Sequence, residues 1–216
     1  MSFSAAPVAD GRAGAARALY HRAFRPCFRD PKHMIHTHSI PGAFSDAECL
    51  RIVAQADAAP AAEARLVGRA RDDNQRRSEL VWLDDVPEAG WVMDRIIDIV
   101  REANRDAFGF DLTEFAESAQ VARYGADREG HFHWHADIGD GAVAGRRKLT
   151  IVIQLSLPEM YAGGALEVMP SARTVTAPRE RGAACLFPSF LLHRVTPVTE
   201  GARRSLTVWA HGPAFR

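Results

Sequence analysis

The second half of this chain is a series of short β-forming segments separated by turn signals. After Phe110, seven such segments follow one another, and glycine pairs or Glu-Gly punctuate them. Short strands at this spacing are typical of a β-sandwich or barrel, because each strand must turn back to pair with another. The segments are 119–124, 131–137, 149–155, 166–169, 183–187, 191–197 and 205–210.

The first half of the chain has helical patterns instead. Ser45 followed by Glu48 forms a capping box that predicts a helix over 45–58. Apolar residues at helical spacing predict a longer helix over 88–107. Strand-like segments lie at 34–40 and 77–83. The predicted fold is therefore α+β, with helices first and a sandwich of jelly-roll type after them.

Composition excludes several classes of protein. The formal charge is +0, from 27 Lys+Arg against 27 Asp+Glu, which argues against a domain that binds nucleic acid by bulk charge. No run of about 18 apolar residues is present, so we expect no membrane span. Three cysteines without metal-ligand spacing favour a reducing, cytoplasmic setting.

The charge is unevenly distributed along the chain. Residues 1–33 contain six Lys or Arg and two Asp, and they lack the apolar run of a secretory signal. We therefore expect a basic N-terminal extension at 1–33 and one folded domain at 34–216.

The segment His131-Phe132-His133-Trp134-His135-Ala136-Asp137 holds the densest group of candidate metal ligands. In a regular strand His131, His133, His135 and Asp137 would share one face. An isolated His-x-Asp is more often part of a polar surface than of a metal site, so the pair indicates a metal site only together with a third ligand.

His193 is a third candidate ligand, since it stands alone in an apolar, β-forming run. Two His and one carboxylate form the facial triad of non-haem Fe(II) oxygenases. Arg203 and Ser205 follow, and on a strand they would share a face. A guanidinium and a hydroxyl suit a carboxylate ligand, although a surface Arg is the alternative.

Together these residues resemble the 2-oxoglutarate- and Fe(II)-dependent dioxygenases, in their prolyl 4-hydroxylase-like branch. The resemblance is close from Tyr124 to Gly212. The residues that carry it are Tyr124, Trp134-His135-x-Asp137, Leu149-Thr150, Tyr161-x-Gly163-Gly164-x-Leu166, Phe187-Pro188-Ser189, His193-x-Val195-x-Pro197-Val198 and Gly201-x-Arg203.

The resemblance implies a double-stranded β-helix core with the N-terminal helices packed against one sheet. It implies that His135, Asp137 and His193 bind Fe(II) and act as the catalytic centre. Arg203 would pair with the far carboxylate of 2-oxoglutarate, and Tyr124 would hydrogen-bond this cosubstrate. Some relatives have a Tyr where Ile153 stands, a role that Ser205 or Thr207 would take here.

The implied activity is hydroxylation of an aliphatic C–H bond, with O2 consumed, succinate and CO2 as co-products, and ascorbate as a possible stimulant. The substrate would be a prolyl or other residue in a peptide or protein, or a free amino acid. Five Arg between residues 63 and 77 could favour an acidic substrate, and a solvated loop is the alternative; they are Arg65, Arg69, Arg71, Arg76 and Arg77.

Two other functions remain open from the residues. His133-x-His135 also fits the ligand pair of a cupin-type metal enzyme, which needs no 2-oxoglutarate. Asp137 and the His193-to-Arg203 spacing distinguish the two enzymes, because a cupin has no use for them. The third possibility is a jelly-roll binding module without enzymatic activity.

Overall fold

A computed structural model of the chain describes residues 36–59, 62–63, 74–86 and 88–215. The expected basic extension at 1–33, the first two residues of the predicted strand at 34–40 and most of the arginine-rich segment lie outside the described residues.

Two helices precede the main strands. Helix α1 (Asp46–Ala58) begins at the predicted capping box: Glu48 N–H donates to Ser45 Oγ at 3.3 Å, and Ser45 N–H donates to Glu48 Oε2 at 2.6 Å. Helix α2 (Gly90–Ala103) continues into a π-helical turn, Asn104–Phe108. No helix in the described part of the chain is long and apolar enough to cross a membrane.

The strands are mostly short, as predicted. Their bounds are β1 His38–Ile40, β2 Ala62–Glu63, β3 Arg76–Arg77, β4 Glu79–Trp82, β5 Gln120–Gly125, β6 His131–His135, β7 Arg147–Gln154, β8 Tyr161–Gly163, β9 Leu166–Met169, β10 Val175–Thr176, β11 Ala184–Pro188, β12 Leu192–Val195 and β13 Val198–His211. β2, β8 and β10 are additional to the predicted strands.

The strands form two sheets. The major sheet has the order β1-β11-β7-β13-β5-β4-β2, with β8 attached to β13. The minor sheet has the order β10-β9-β12-β6-β3. The segment at 77–83 was predicted as one strand, but it divides at Ser78: β3 joins the minor sheet and β4 joins the major sheet.

The major sheet buries a different set of side chains on each face. One face packs against α1 and α2 through aliphatic residues such as Ile151, Leu186, Leu206, Ile52 and Ile96, which are at most 1% exposed. The other face looks toward the minor sheet. The predicted α+β jelly roll with helices against one sheet is therefore confirmed, and the site lies between its two sheets.

Candidate metal centre

A β-bulge in β6 decides which of its side chains face the space between the sheets. Along β12 and β6, His193 pairs with His135, and Val195 pairs with Phe132. Between these pairs Arg194 of β12 alone opposes two residues of β6, His133 and Trp134, and the extra residue reverses the alternation of side chains. His135 and Phe132 lie on the same side, with ring centroids 3.5 Å apart.

The bulge corrects the predicted face of β6. His131 and His133 do not share the side of His135. They line a separate cavity with Arg77 and Glu129, while Phe132 and His135 line the cavity between the sheets. A regular period of two cannot hold through a bulge, so the prediction that all three histidines align was wrong.

His135, Asp137 and His193 form one cluster, as the sequence suggested. Their ligand atoms all lie within 4.8 Å of one another. Asp137 Oδ1 is 3.6 Å from His135 Nε2, and Asp137 Oδ2 is 3.4 Å from His193 Nε2. Two imidazole nitrogens and a carboxylate at this separation suit a facial Fe(II) site with open positions.

Backbone carbonyls orient both imidazoles. His135 Nδ1 lies 2.7 Å from the carbonyl oxygen of His133, and His193 Nδ1 lies 3.0 Å from that of Leu191. Because a carbonyl only accepts, each Nδ1 carries the proton and each Nε2 presents its lone pair to the cluster. This is the tautomer that metal binding requires.

Three hydrogen bonds fix the position of Asp137. Its Oδ2 accepts from Thr150 Oγ1 at 2.7 Å, its N–H donates to the Ser189 carbonyl at 2.9 Å, and its own carbonyl accepts from Arg147 Nη1 at 2.8 Å. Burial alone would raise the pKa of Asp137, but interactions with His193, His135 and Thr150 outweigh it and hold the pKa well below its usual range.

Arg147 links Asp137 to a second polar group outside the cavity. Its guanidinium binds Glu117, which also lies 3.0 Å from His211 Nε2.

Burial lowers the pKa of His193 to about 4, so this imidazole is neutral and able to ligate at pH 7. The cluster is therefore one fixed carboxylate with prepared nitrogen donors.

The cavity beside the cluster has an empty volume of about 400 Å³, its open mouth included. Alternate residues of β13 form one wall. The lining residues from that strand are Arg203, Ser205, Thr207 and Trp209. Those from elsewhere include Arg76, Gln120, Tyr124, Phe132, Val152, Leu166 and Val195. The indole nitrogen of Trp209 is buried without a hydrogen-bond partner among the described residues.

Arg203 is buried at 3% exposure and faces this cavity. Its guanidinium lies 5.7 Å from the Tyr124 ring centre, and Nη1 is 3.4 Å from Ser205 Oγ. Burial lowers its pKa, and the hydroxyls of Tyr124 and Tyr161 oppose this shift. No carboxylate lies within 4.0 Å of it in the described part of the chain, so its charge lacks an internal partner.

Tyr161 is the residue of this site that sequence reasoning did not assign. Its hydroxyl accepts from Gln154 Nε2 at 2.5 Å, and its interaction with Arg203 opposes the lowering of the pKa of that guanidinium by burial. Ile153, by contrast, faces the helices and is fully buried there. Gly164, next to this tyrosine's strand, adopts φ +60°, and a Cβ there would lie 3.2 Å from Arg203 Cδ. The Tyr-x-Gly-Gly pattern was the available signal.

Comparisons with known proteins agree with this geometry. Residues 119–211 match the family described as the 2OG-Fe(II) oxygenase superfamily. A PKHD-type hydroxylase of Hyphomonas neptunium is 39% identical over 72 residues, 33% of this chain and 32% of the relative. One from Parvibaculum lavamentivorans is 42% identical over 64 residues, 30% of this chain and 29% of the relative. The chain thus spans about a third of the length of these curated relatives.

Solved structures resemble the chain over most of its length. A Trichoplax adhaerens prolyl hydroxylase, solved with a hypoxia inducible factor peptide fragment, has a TM-score of 0.69 at 16% identity and covers 82% of this chain and 84% of its own. A Pseudomonas putida prolyl-4-hydroxylase has a TM-score of 0.64 at 20% identity, covering 85% and 95%. These likenesses show the fold. The family match over residues 119–211 contains the whole His-Asp-His cluster, so this part of the chain is similar to the 2OG-Fe(II) oxygenase superfamily.

Proposed function

We propose that this chain is an Fe(II)- and 2-oxoglutarate-dependent dioxygenase that hydroxylates an aliphatic C–H bond. The observation that carries the proposal is that a prepared His-Asp-His cluster shares one cavity with the buried Arg203, which has no carboxylate within 4.0 Å among the described residues. Metal ligands alone fit many enzymes, whereas a buried cation without a carboxylate beside it also needs an anionic ligand.

His135, Asp137 and His193 would hold the metal, because their donor atoms converge and the Nε2 lone pairs are free. When bound, Fe(II) with 2-oxoglutarate and O2 supplies the oxidation, and succinate and CO2 are the co-products. Three protein ligands would leave other positions of the metal open for these two molecules. Thr150 keeps the Asp137 carboxylate from rotating away.

Arg203 would bind the far carboxylate of 2-oxoglutarate. Its guanidinium offers parallel donors, and Ser205 adds a hydroxyl at its side. Tyr124, buried at 4% exposure in the same wall, would hydrogen-bond the cosubstrate nearer to the metal. Tyr161 would help to position Arg203, whereas the Ile153 side chain faces the helices and could not help to hold 2-oxoglutarate.

Apolar residues would keep water from the reacting carbon. Phe132, Val152, Leu166 and Val195 line the cavity around the cluster. A dry, shaped cavity strengthens the polar contacts inside it and restricts the substrate's position. We propose a prolyl or other residue of a peptide or protein, or a free amino acid, as the substrate, turned over by a cytoplasmic enzyme whose single domain spans 34–216.

Anaerobic titration with Fe(II) and 2-oxoglutarate tests the proposal. We expect a metal-to-ligand charge-transfer band that His135→Ala abolishes. Incubation of candidate peptides and amino acids with Fe(II), ascorbate and 2-oxoglutarate should then add one oxygen, detected by mass spectrometry. A wild-type protein without the band, together with iron binding unchanged in His135→Ala, contradicts the proposal.

The cupin-type enzyme is tested by His133→Ala. In the structure His133 is exposed and lines the other cavity with His131, and it is not part of the ligand cluster. The substitution should therefore leave iron binding intact, whereas loss of the metal would favour the cupin. Metal analysis after anaerobic purification separates both enzymes from a binding module, which would hold no iron.

A further inference from the structure

A second guanidinium faces the cavity at the side opposite to β13. β3 pairs with β6 so that Arg76 stands across from Phe132 and Arg77 stands across from His131. Neighbouring residues of a strand point to opposite faces. Arg76 accordingly lines the cavity with the metal cluster, and Arg77 lines the other cavity, where it pairs with Glu129 at 3.0 Å.

Neutral groups hold Arg76 in place. Its Nε donates to Ser78 Oγ at 2.8 Å, and its Nη2 donates to Gln120 Oε1 at 3.2 Å. The guanidinium carbon lies 4.6 Å from the ring centre of Phe132, which gives a cation–π contact. Within the described ranges no carboxylate lies within 4.0 Å of it. The charge of Arg76 is thus oriented by its neighbours but not neutralised by them.

The cavity has an excess of positive charge if the proposed function is correct, and the inference rests on that function. Arg76 and Arg203 contribute one positive charge each, Asp137 contributes one negative charge, and the bound Fe(II) and 2-oxoglutarate cancel. One positive charge remains, and the proposed contacts of the cosubstrate are at Arg203. A half-buried cation in a small cavity is most stable with an anion beside it.

We infer that Arg76 binds a carboxylate of the substrate. The ligand class is an aliphatic group that carries a carboxylate a few bonds from the carbon that is oxidised. The distance between this carboxylate and the oxidised carbon is limited by the stack of Arg76, Phe132 and His135. The guanidinium carbon of Arg76 lies 4.6 Å from the Phe132 ring centre, which lies 3.5 Å from the His135 ring centre. The carboxylate would take the donors of Arg76 that Ser78 and Gln120 leave free.

Two sources share this chemistry: the carboxylate of a free amino acid or other small acid, and an acidic side chain or C-terminus of a peptide. The experiment therefore has two arms. Protein loaded anaerobically with Fe(II) and saturating 2-oxoglutarate is titrated with L-proline and cyclopentanecarboxylate, each against its primary amide. A second titration compares blocked pentapeptides with a central Glu or Gln, and with a free or amidated C-terminus. Binding is followed by calorimetry and by the charge-transfer band.

In wild type, acids of at least one arm should bind about tenfold or more tightly than their amides, the value of a charge-assisted hydrogen bond. Arg76→Gln should bring the ratio of acid to amide affinity close to one, and Arg76→Lys should restore part of it. Arg77→Gln is the matched control, because it removes the same charge from the next residue and faces the other cavity. It should keep the wild-type ratio.

The arm that shows the preference identifies the source of the carboxylate. Equal binding of acids and amides by wild type overturns the inference, and so does a preference that Arg76→Gln and Arg77→Gln reduce alike. Wild-type protein that shows no charge-transfer band overturns the proposed function and the inference with it. A normal band with no Arg76-dependent preference overturns the inference alone.

Discussion

The two faces of the major sheet are made from the same strands and yet have opposite characters. On β13 the residues that face the helices are Leu206, Val208 and Ala210, all at most 1% exposed. Those that face the cavity are Arg203, Ser205, Thr207 and Trp209. One face is an aliphatic core, and the other presents a guanidinium, two hydroxyls and an indole to the cavity. Stability and chemistry can therefore be altered separately by moving a substitution one residue along a strand.

The largest expected effect is on the cavity face. His193→Ala removes one of the three proposed metal ligands, so Fe(II) affinity should fall more than the ~10–100-fold that loss of an outer partner costs. Equilibrium Fe(II) binding under argon measures it. The control is His133→Ala, whose side chain is exposed on the other side of β6. If both variants bind iron like wild type, the cluster is not the metal site.

On the helix-facing side, Leu206→Ala should cost about 3 kcal/mol of unfolding free energy, because it leaves a cavity in a fully buried core. Denaturant unfolding measures the loss, and Fe(II) affinity at a temperature where the variant is folded should stay near that of wild type. A loss of iron affinity as large as that of His193→Ala would show that the two faces are coupled rather than separable.

Sequence reasoning succeeded where the pattern is regular. The capping box at Ser45 specifies where α1 begins, the apolar spacing of α2 specifies its buried face, and alternation along a strand places Arg203 and Ser205 on one side. The three candidate ligands could be named because the His-x-Asp pair and the lone His193 together resemble a known family, and the structure brings their donor atoms within 4.8 Å of one another.

It failed where pairing geometry intervenes. The bulge in β6 adds a residue whose position depends on the partner strand, and no local pattern marks it. Because of the bulge, Phe132 rather than His133 lies on the same side of β6 as His135. Tyr161 was missed as a partner of Arg203 because β8 is only three residues long and touches Arg203 through tertiary packing.

A smaller effect is expected for Thr150→Val, which keeps the shape of the side chain and removes its hydroxyl. Thr150 Oγ1 donates to Asp137 Oδ2 at 2.7 Å and lies 3.0 Å from Ser189 Oγ. Fe(II) affinity should fall about 10–100-fold, as for other outer partners of a ligand. Thr176→Val is the control, since Thr176 is exposed on β10. Unchanged affinity in Thr150→Val would mean that Asp137 is oriented by its backbone contacts alone.

Glu117→Gln tests the group that Arg147, Glu117 and His211 form outside the cavity. Burial would raise the pKa of Glu117, but hydrogen bonds and charges from His211 and Arg147 outweigh it and hold the pKa below 4.5. The carboxylate therefore adds stability above pH 4.5, and this is lost as pH falls through the lowered pKa. The variant should lose about 2 kcal/mol at pH 7 and progressively less below pH 4.5.

The comparison for that loss is Asp98→Asn, which breaks an exposed ion pair with Arg101. Such pairs contribute about 0–1 kcal/mol, so this variant should unfold almost like wild type at every pH. Urea titrations between pH 3 and pH 7 measure both variants. A constant difference between wild type and Glu117→Gln across this range would show that Glu117 has no lowered pKa.

The smallest expected effect is on thiol labelling of two cysteines, which lie in the clusters on the two sides of the major sheet. Cys49 packs among the helices and Cys185 belongs to the cluster on the cavity side, and burial raises their pKa values to about 11 and about 12. At pH 8 no more than about one thiol in a thousand is then a thiolate, the form that reacts with disulfide reagents. In a Cys27→Ser background both should label only when the protein opens, at the same slow rate. Faster labelling of Cys185 would show that the cavity side opens before the helix core, which would extend the contrast between the two faces from chemistry to stability.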